Sequence, residues 1–123
     1  MKDQNEKSMK KIKPYPIDAH VSKAQGQPGT KGHIVKLVPA GFLMRVNADI
    51  YRVAELYFVS FEIPGLHSRV SENVKVMKTY DSMEKTVTGQ LVKSYLVEFQ
   101  FINVHGNTLS NIKKFAMMIG QAA

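Results

Sequence analysis

The sequence predicts an all-β domain with one C-terminal helix, a small six-stranded antiparallel split β-barrel, and three observations carry that expectation. Valine and isoleucine total 21 residues against 7 leucines, and β-branched side chains lose rotamer freedom in a helix but pack well on a pleated sheet. Apolar residues alternate with polar ones over several short runs before Phe101, and only afterwards does the spacing change to three and four. The chain has 123 residues, enough for one core and too few for two.

Ile17, Ala19 and Val21 alternate with Asp18, His20 and Ser22, the period of a half-buried strand running to about Ala24. The loop GQPGTKG, from Gly26 to Gly32, breaks it and reads as a hairpin connection. A second strand is expected over His33 to Val38, a tight turn at Pro39 to Gly41, and a third strand over Phe42 to Val46. In Glu55 to Ile63, Tyr57, Val59, Phe61 and Ile63 give one wholly apolar face, while Leu56 and Phe58 share the other with Ser60 and Glu62. Pro64-Gly65 ends that strand. Between Arg69 and Tyr80, Val70, Val74 and Val76 share a parity that Glu72 and Lys78 interrupt, a lapse that an edge position or a bulge explains. DSMEKTVTG reads as a polar bridge to the run Leu91, Lys93, Tyr95, Val97, Phe99 and Phe101, so the last three strands form a meander. Asn107 is the expected N-cap of a helix from about Thr108 to Ile119, with Leu109, Ile112, Ala116 and Ile119 facing the core and Gly120 closing it.

The net charge of +7 points to an anionic contact. Of that charge, +3 falls in the first 13 residues, where Lys2, Lys7, Lys10, Lys11 and Lys13 face Asp3 and Glu6. Residues 1–14 are therefore expected to be a flexible basic arm, and 15–123 the barrel with its helix. Cysteine is absent, which removes disulfides, thiolate metal sites and cysteine nucleophiles and fits a cytoplasmic setting. No apolar stretch approaches the ~18 residues of a membrane helix, and none follows the basic start as an export signal would require. Membrane insertion is not expected.

Catalytic patterns are thin. His20, His33, His67 and His105 stand on separate elements without two-ligand spacing, so no metal is expected. Asp18, His20 and Ser22 share a strand face, but alternate residues on one strand project side by side and do not converge as a triad must. The glycine-rich loop lacks the Lys-Ser/Thr of a phosphate-binding loop and precedes a strand. The domain is expected not to be an enzyme.

The order of these pieces resembles a PilZ domain, a small bacterial barrel that serves as a receptor module for cyclic di-GMP. YPIDAHV is similar to the family's proline-containing lead into its first strand, and HIVKLVPAGFLMRV to its second strand, glycine turn and third strand, with Gly41 at the turn glycine. ELYFVSFEIPG, VSENVKVMKTYDS and SYLVEFQFINV resemble the next three strands, and NTLSNIKKFAMMIGQ the closing helix. The family's ligand chemistry rests on Arg-x-x-x-Arg in the arm and Asp/Asn-x-Ser-x-x-Gly at the second turn. Here KLVPAG keeps Gly41 but places Lys36 and Val38 where the acceptor and the hydroxyl stand, and the arm offers Lys10, Lys11 and Lys13 in place of arginines. A lysine only donates, and it cannot fork two bonds to a phosphate.

The resemblance implies a non-enzymatic regulatory protein of cyclic di-GMP signalling. With its nucleotide-binding motifs degenerate, it is expected to act by contact with a protein partner of a motility, pilus or signalling system. Lys10, Lys11, Lys13, Lys36 and Gly41 are the candidate ligand-binding residues, with cyclic di-GMP as a weak ligand and no cofactor. Two alternatives stand beside this: a cyclic di-GMP receptor with a rewritten pocket, and a basic barrel that stacks single-stranded nucleic acid on Tyr51, Tyr57 and Tyr95. Leu56 and Phe58 are the apolar side chains singled out for a protein contact.

Overall fold

Strand β1, Ile17–Ser22, pairs antiparallel with β2, Gly29–Val38, on one side and with β4, Leu56–Ile63, on the other. This double pairing closes the sheet. With β3 at Gly41–Val46, β5 at Ser68–Lys85 and β6 at Leu91–Phe101, the ring runs β1-β2-β3-β6-β5-β4. A helix, α1, spans Gly106–Met118 and packs on β2 and β4. The computed structural model describes residues 13–120, and within them the six-stranded antiparallel barrel with one C-terminal helix is as the alternation predicts. No helix among the described residues is long and apolar enough to cross a membrane.

The barrel interior is filled from alternate positions of every strand. Phe42 stacks on Phe99 with ring centroids 5.1 Å apart and meets Phe61 and Phe101 at 5.9 and 5.6 Å. Each such burial contributes about 1.5–3 kcal/mol. At one end α1 inserts Ile112, Phe115 and Ala116, with Phe115 edge-on to Tyr15. At the other end Tyr51 and Tyr57 pack edge to face 5.0 Å apart as a plug.

Several boundaries differ from the sequence reading, each for a tertiary reason. β2 begins at Gly29, inside the glycine-rich loop, because Gly29 and Thr30 pair with Ser22 and Val21; β1 ends at Ser22, and the turn between them is shorter. β5 does not stop at Tyr80. Most of the stretch read as a polar bridge is strand, because Leu91 to Ser94 supply a partner as far as Lys85 and the reversal falls at Val87 to Gly89. The helix starts two residues early, with His105 instead of Asn107 at the N-cap position. The buried carboxylate of Glu72 accepts the His105 N–H at 3.2 Å, and His105 Nδ1 lies 2.8 Å from the same oxygen. That anchor replaces a local side-chain cap, and it explains why a glutamate sits on the apolar parity of β5. The core face of α1 includes Phe115, which the spacing argument left out, while Leu109 and Ile119 are only half-buried. Gly120 closes the helix at φ 71°, its N–H bonded to the Met117 carbonyl.

Candidate functional site

Two bulges shape the outer face of the barrel. In β2 the register shifts between Ile34 and Lys36, and in β5 between Val76 and Lys78. An extra residue exchanges the faces that follow it, so Leu37 turns into the core while Lys36 and Val38 turn outward. In β5 the shift carries Lys78 and Tyr80 onto the same outer surface. The ladder then aligns Lys36, Leu43, Glu98 and Lys78 across four strands, with Arg45, Leu96 and Tyr80 in the neighbouring row.

From these rows Lys36, Leu43, Glu98, Leu96 and Tyr80 floor an open groove of about 700 Å³ bordered by the β2–β3 turn. Apolar side chains from Val38, Leu43, Met77 and Leu96 line it, and its charged groups are Lys36, Asp81 and Glu98. Tyr80 donates its hydroxyl to Glu98 Oε1 at 3.3 Å, and Lys78 Nζ lies 5.0 Å over the Tyr80 ring. Beyond the groove, Arg45 Nη1 donates to Ser94 Oγ at 2.7 Å and Ser82 Oγ at 3.1 Å, tying β3 to β6 and β5. The floor is therefore braced from both sides.

Lys36 and Gly41 meet in this groove. Lys36 is exposed, with its ammonium free to reach an anion. Gly41 has a packing role: a Cβ there would collide with the Phe99 carbonyl, so only glycine lets β3 approach β6 at the turn. Lys13 is exposed, while Lys10 and Lys11 lie outside the described residues. After Lys13 the chain is fixed by Tyr15, whose hydroxyl accepts the Leu37 N–H at 3.0 Å. Leu43, Tyr80, Leu96 and Glu98 were not singled out from the sequence. For Leu96 and Glu98 the signal was present as the outward parity of β6, where Leu96 sits among Ser94, Glu98 and Gln100.

The other sequence-derived groupings fare differently. Tyr51 and Tyr57 are buried in the barrel end, which removes two of the three proposed stacking platforms, and Tyr95 is half-buried. The Tyr57 hydroxyl donates to Glu55 Oε1 at 2.8 Å and accepts from Lys23 Nζ at 3.3 Å. The bond from Tyr57 holds the Glu55 carboxyl below its ordinary range and the bond that Lys23 donates to Tyr57 raises Lys23, whereas burial pushes the Tyr51 and Tyr57 phenols up. Asp18 pairs across the strand with His33 at 3.0 Å, not with His20, and Ser22 is buried with its hydroxyl on the Ala24 carbonyl. Leu56 is 59% exposed and Phe58 half-buried on the outer face of β4. Among the described residues no three His, Asp or Glu side chains gather to hold a metal ion.

By sequence, the chain matches no protein-family model and no curated protein. By structure it is similar to the PilZ domain of YcgR from Escherichia coli, solved with cyclic di-GMP, at TM-score 0.67 and 7% identity over 89% of this chain and 92% of that one. It is also similar to MrkH from K. pneumonia in its apo state, at TM-score 0.70 and 9% identity over 88% of this chain and 47% of MrkH. The MrkH complex with cyclic di-GMP superposes at TM-score 0.66 and 9% identity over 86% and 46%. The chain thus spans about half the length of MrkH. These likenesses show that the fold is PilZ-like.

Proposed function

We propose that this domain is a PilZ-like, non-enzymatic regulatory module of cyclic di-GMP signalling that works through contact with a protein partner. The observation that carries the reading is the chemistry of the groove. A dinucleotide that presents phosphates and guanine edges needs cations and acceptors placed for both. Here two carboxylates, Asp81 and Glu98, stand against one lysine, and the remaining surface is largely apolar. Such a lining suits a protein segment with apolar side chains and a basic residue better than a phosphodiester. Lys36 still attracts phosphate electrostatically, so cyclic di-GMP is retained as a weak, salt-sensitive ligand.

Calorimetry with cyclic di-GMP at physiological salt tests the reading, with a dissociation constant weaker than ~10 μM expected, since a site that lacks its hydrogen-bonding partner loses orders of magnitude. A submicromolar constant would overturn it in favour of a receptor with a rewritten pocket. The same titration with single-stranded oligonucleotides at two salt concentrations addresses the nucleic-acid alternative, for which saturable, base-dependent binding is the positive result.

A further inference from the structure

The second half of β5 is a strand with one side unfilled. From Ser68 to Lys75 it pairs with β4, and at Val76 its N–H and C=O bond to the Glu55 carbonyl and the Ala54 N–H. From Met77 to Lys85, among the described residues, only β6 pairs with it.

The hairpin turn fixes which main-chain groups face the empty side. Thr86 N–H donates to the Gln90 carbonyl, which makes Thr86 and Gln90 a hydrogen-bonded pair. Antiparallel alternation then directs Glu84, Ser82 and Tyr80 toward β6, and leaves the N–H and C=O of Thr79, Asp81, Met83 and Lys85 pointing away from it, the Met83 carbonyl also accepting from Arg45 Nη1 at 3.5 Å with its second lone pair left for an edge partner. The outward bonding of Val76 agrees with this count. Six of the large apolar side chains that the structure leaves exposed also fall here, between Met77 and Val92.

We propose that this edge pairs with the same edge of a second copy of the chain, antiparallel about a two-fold axis at Met83, so that one sheet runs through both barrels. Self-complementarity argues for a second copy as the occupant. Centred on Met83, the outward-bonding residues meet as Met83 with Met83 and as Asp81 with Lys85, the latter twice by symmetry. Centring on Asp81 sets two carboxylates face to face, and centring on Ser82 sets Asp81 against Met83. Leu91 lies beside Lys85 across the hairpin, which places an apolar neighbour next to each charge pair. At one end the Ala54 turn and the bulge at Met77 mark where the seat stops. The inference shares Asp81 with the groove lining but does not rest on the groove's ligand, and association state is read separately from cyclic di-GMP binding.

Sedimentation equilibrium of the full chain, from about 5 to 500 μM, reads this as a reversible monomer–dimer equilibrium. Met83→Pro removes an outward N–H while leaving the β5–β6 ladder intact, and is expected to give a monomer at every concentration with its melting temperature kept. Asp81→Lys or Lys85→Asp alone is expected to weaken the dimer roughly tenfold or more, and the two together to restore it. A wild type that stays monomeric throughout overturns the proposal. So does a dimer that neither single charge reversal weakens, or a double variant that is folded by circular dichroism yet remains monomeric. Should Met83→Pro fail to fold, the charge exchange decides alone.

Discussion

The two halves of β5 have the same backbone and opposite surroundings. From Val70 to Val76, alternate side chains are buried, including the carboxylate of Glu72 at 2% exposure; from Met77 to Lys85 an apolar side chain such as Met83 is 54% exposed. Burial thus follows the neighbours of a strand more than its own pattern. In the first half β4 lies alongside and α1 closes the barrel end, so even a carboxylate is enclosed and must be bonded. In the second half, among the described residues, only β6 is alongside, with the Arg45 side chain reaching across it to Ser82 and Met83.

The sharpest way to break this comparison is one charge placed in each half. Val74→Asp puts an unpaired carboxylate into a fully buried position and is expected to cost about 4 kcal/mol or more, enough to unfold the domain, whereas Met83→Asp, at concentrations where the chain is monomeric, should change stability by about 0.5 kcal/mol or less. Urea denaturation of both variants checks it, and similar losses would mean that the second half is covered. Next comes the lid. Ile112→Asp, also at a fully buried position, should cost about 3 kcal/mol or more, and an unchanged melting temperature would show α1 to be detached in solution.

Glu72→Ala leaves the His105 N–H without its acceptor and should cost about 2 kcal/mol, with Glu72→Gln costing about half that because the amide oxygen still accepts. Amide exchange at the start of α1 reports the same loss locally. A Glu72→Ala variant as stable as wild type would show that the carboxylate does not hold the helix.

The smallest effect concerns the junction of the halves, where Val76 meets Glu55 and the tyrosine plug begins. Folded Glu55 releases its proton more readily than the ordinary carboxyl at 4.5, so its contribution is full above that value and is lost as pH falls through the lowered folded value. Tyr51 and Tyr57 hold their protons more tightly than the ordinary phenol at 10.0, so theirs is full below that value and is lost as pH rises through the raised ones. Denaturation midpoints across pH should therefore decline at both extremes, with Glu55→Gln flattening the acid side and Tyr57→Phe reducing the alkaline one. A wild-type midpoint that is level at either extreme would remove the linkage there.

The barrel and its helix were legible because strands and a helix that bury one side must alternate with periods of two and 3.6. What escaped was set by contacts between elements. Nothing in HIVKLV announces that one extra residue sends Leu37 inward and Lys36 outward, since both ways of pairing leave apolar residues on each face. The strand limit at Lys85 was hidden because DSMEK is polar, yet a hairpin ladder requires only backbone groups and an adequate turn. Of the candidate site, Lys36 and Gly41 were marked only by the resemblance of KLVPAG to the PilZ turn, while Tyr80, Leu96 and Glu98 join them through a register that no single strand contains. His105 was treated as one of four scattered histidines, because its partner Glu72 lies 33 residues away.

Tyr15 gives the molecule a mechanical junction. Its hydroxyl bonds the Leu37 main chain beside Lys36 and Val38, its ring rests edge-on against Phe115 of the helix, and it follows the arm by two residues after Lys13. Arm, lid and groove wall therefore meet at one phenol. Linkage would make any coupling through it reciprocal: if a ligand on the arm changed the affinity of the groove, an occupant of the groove would change the hold on the arm by the same factor.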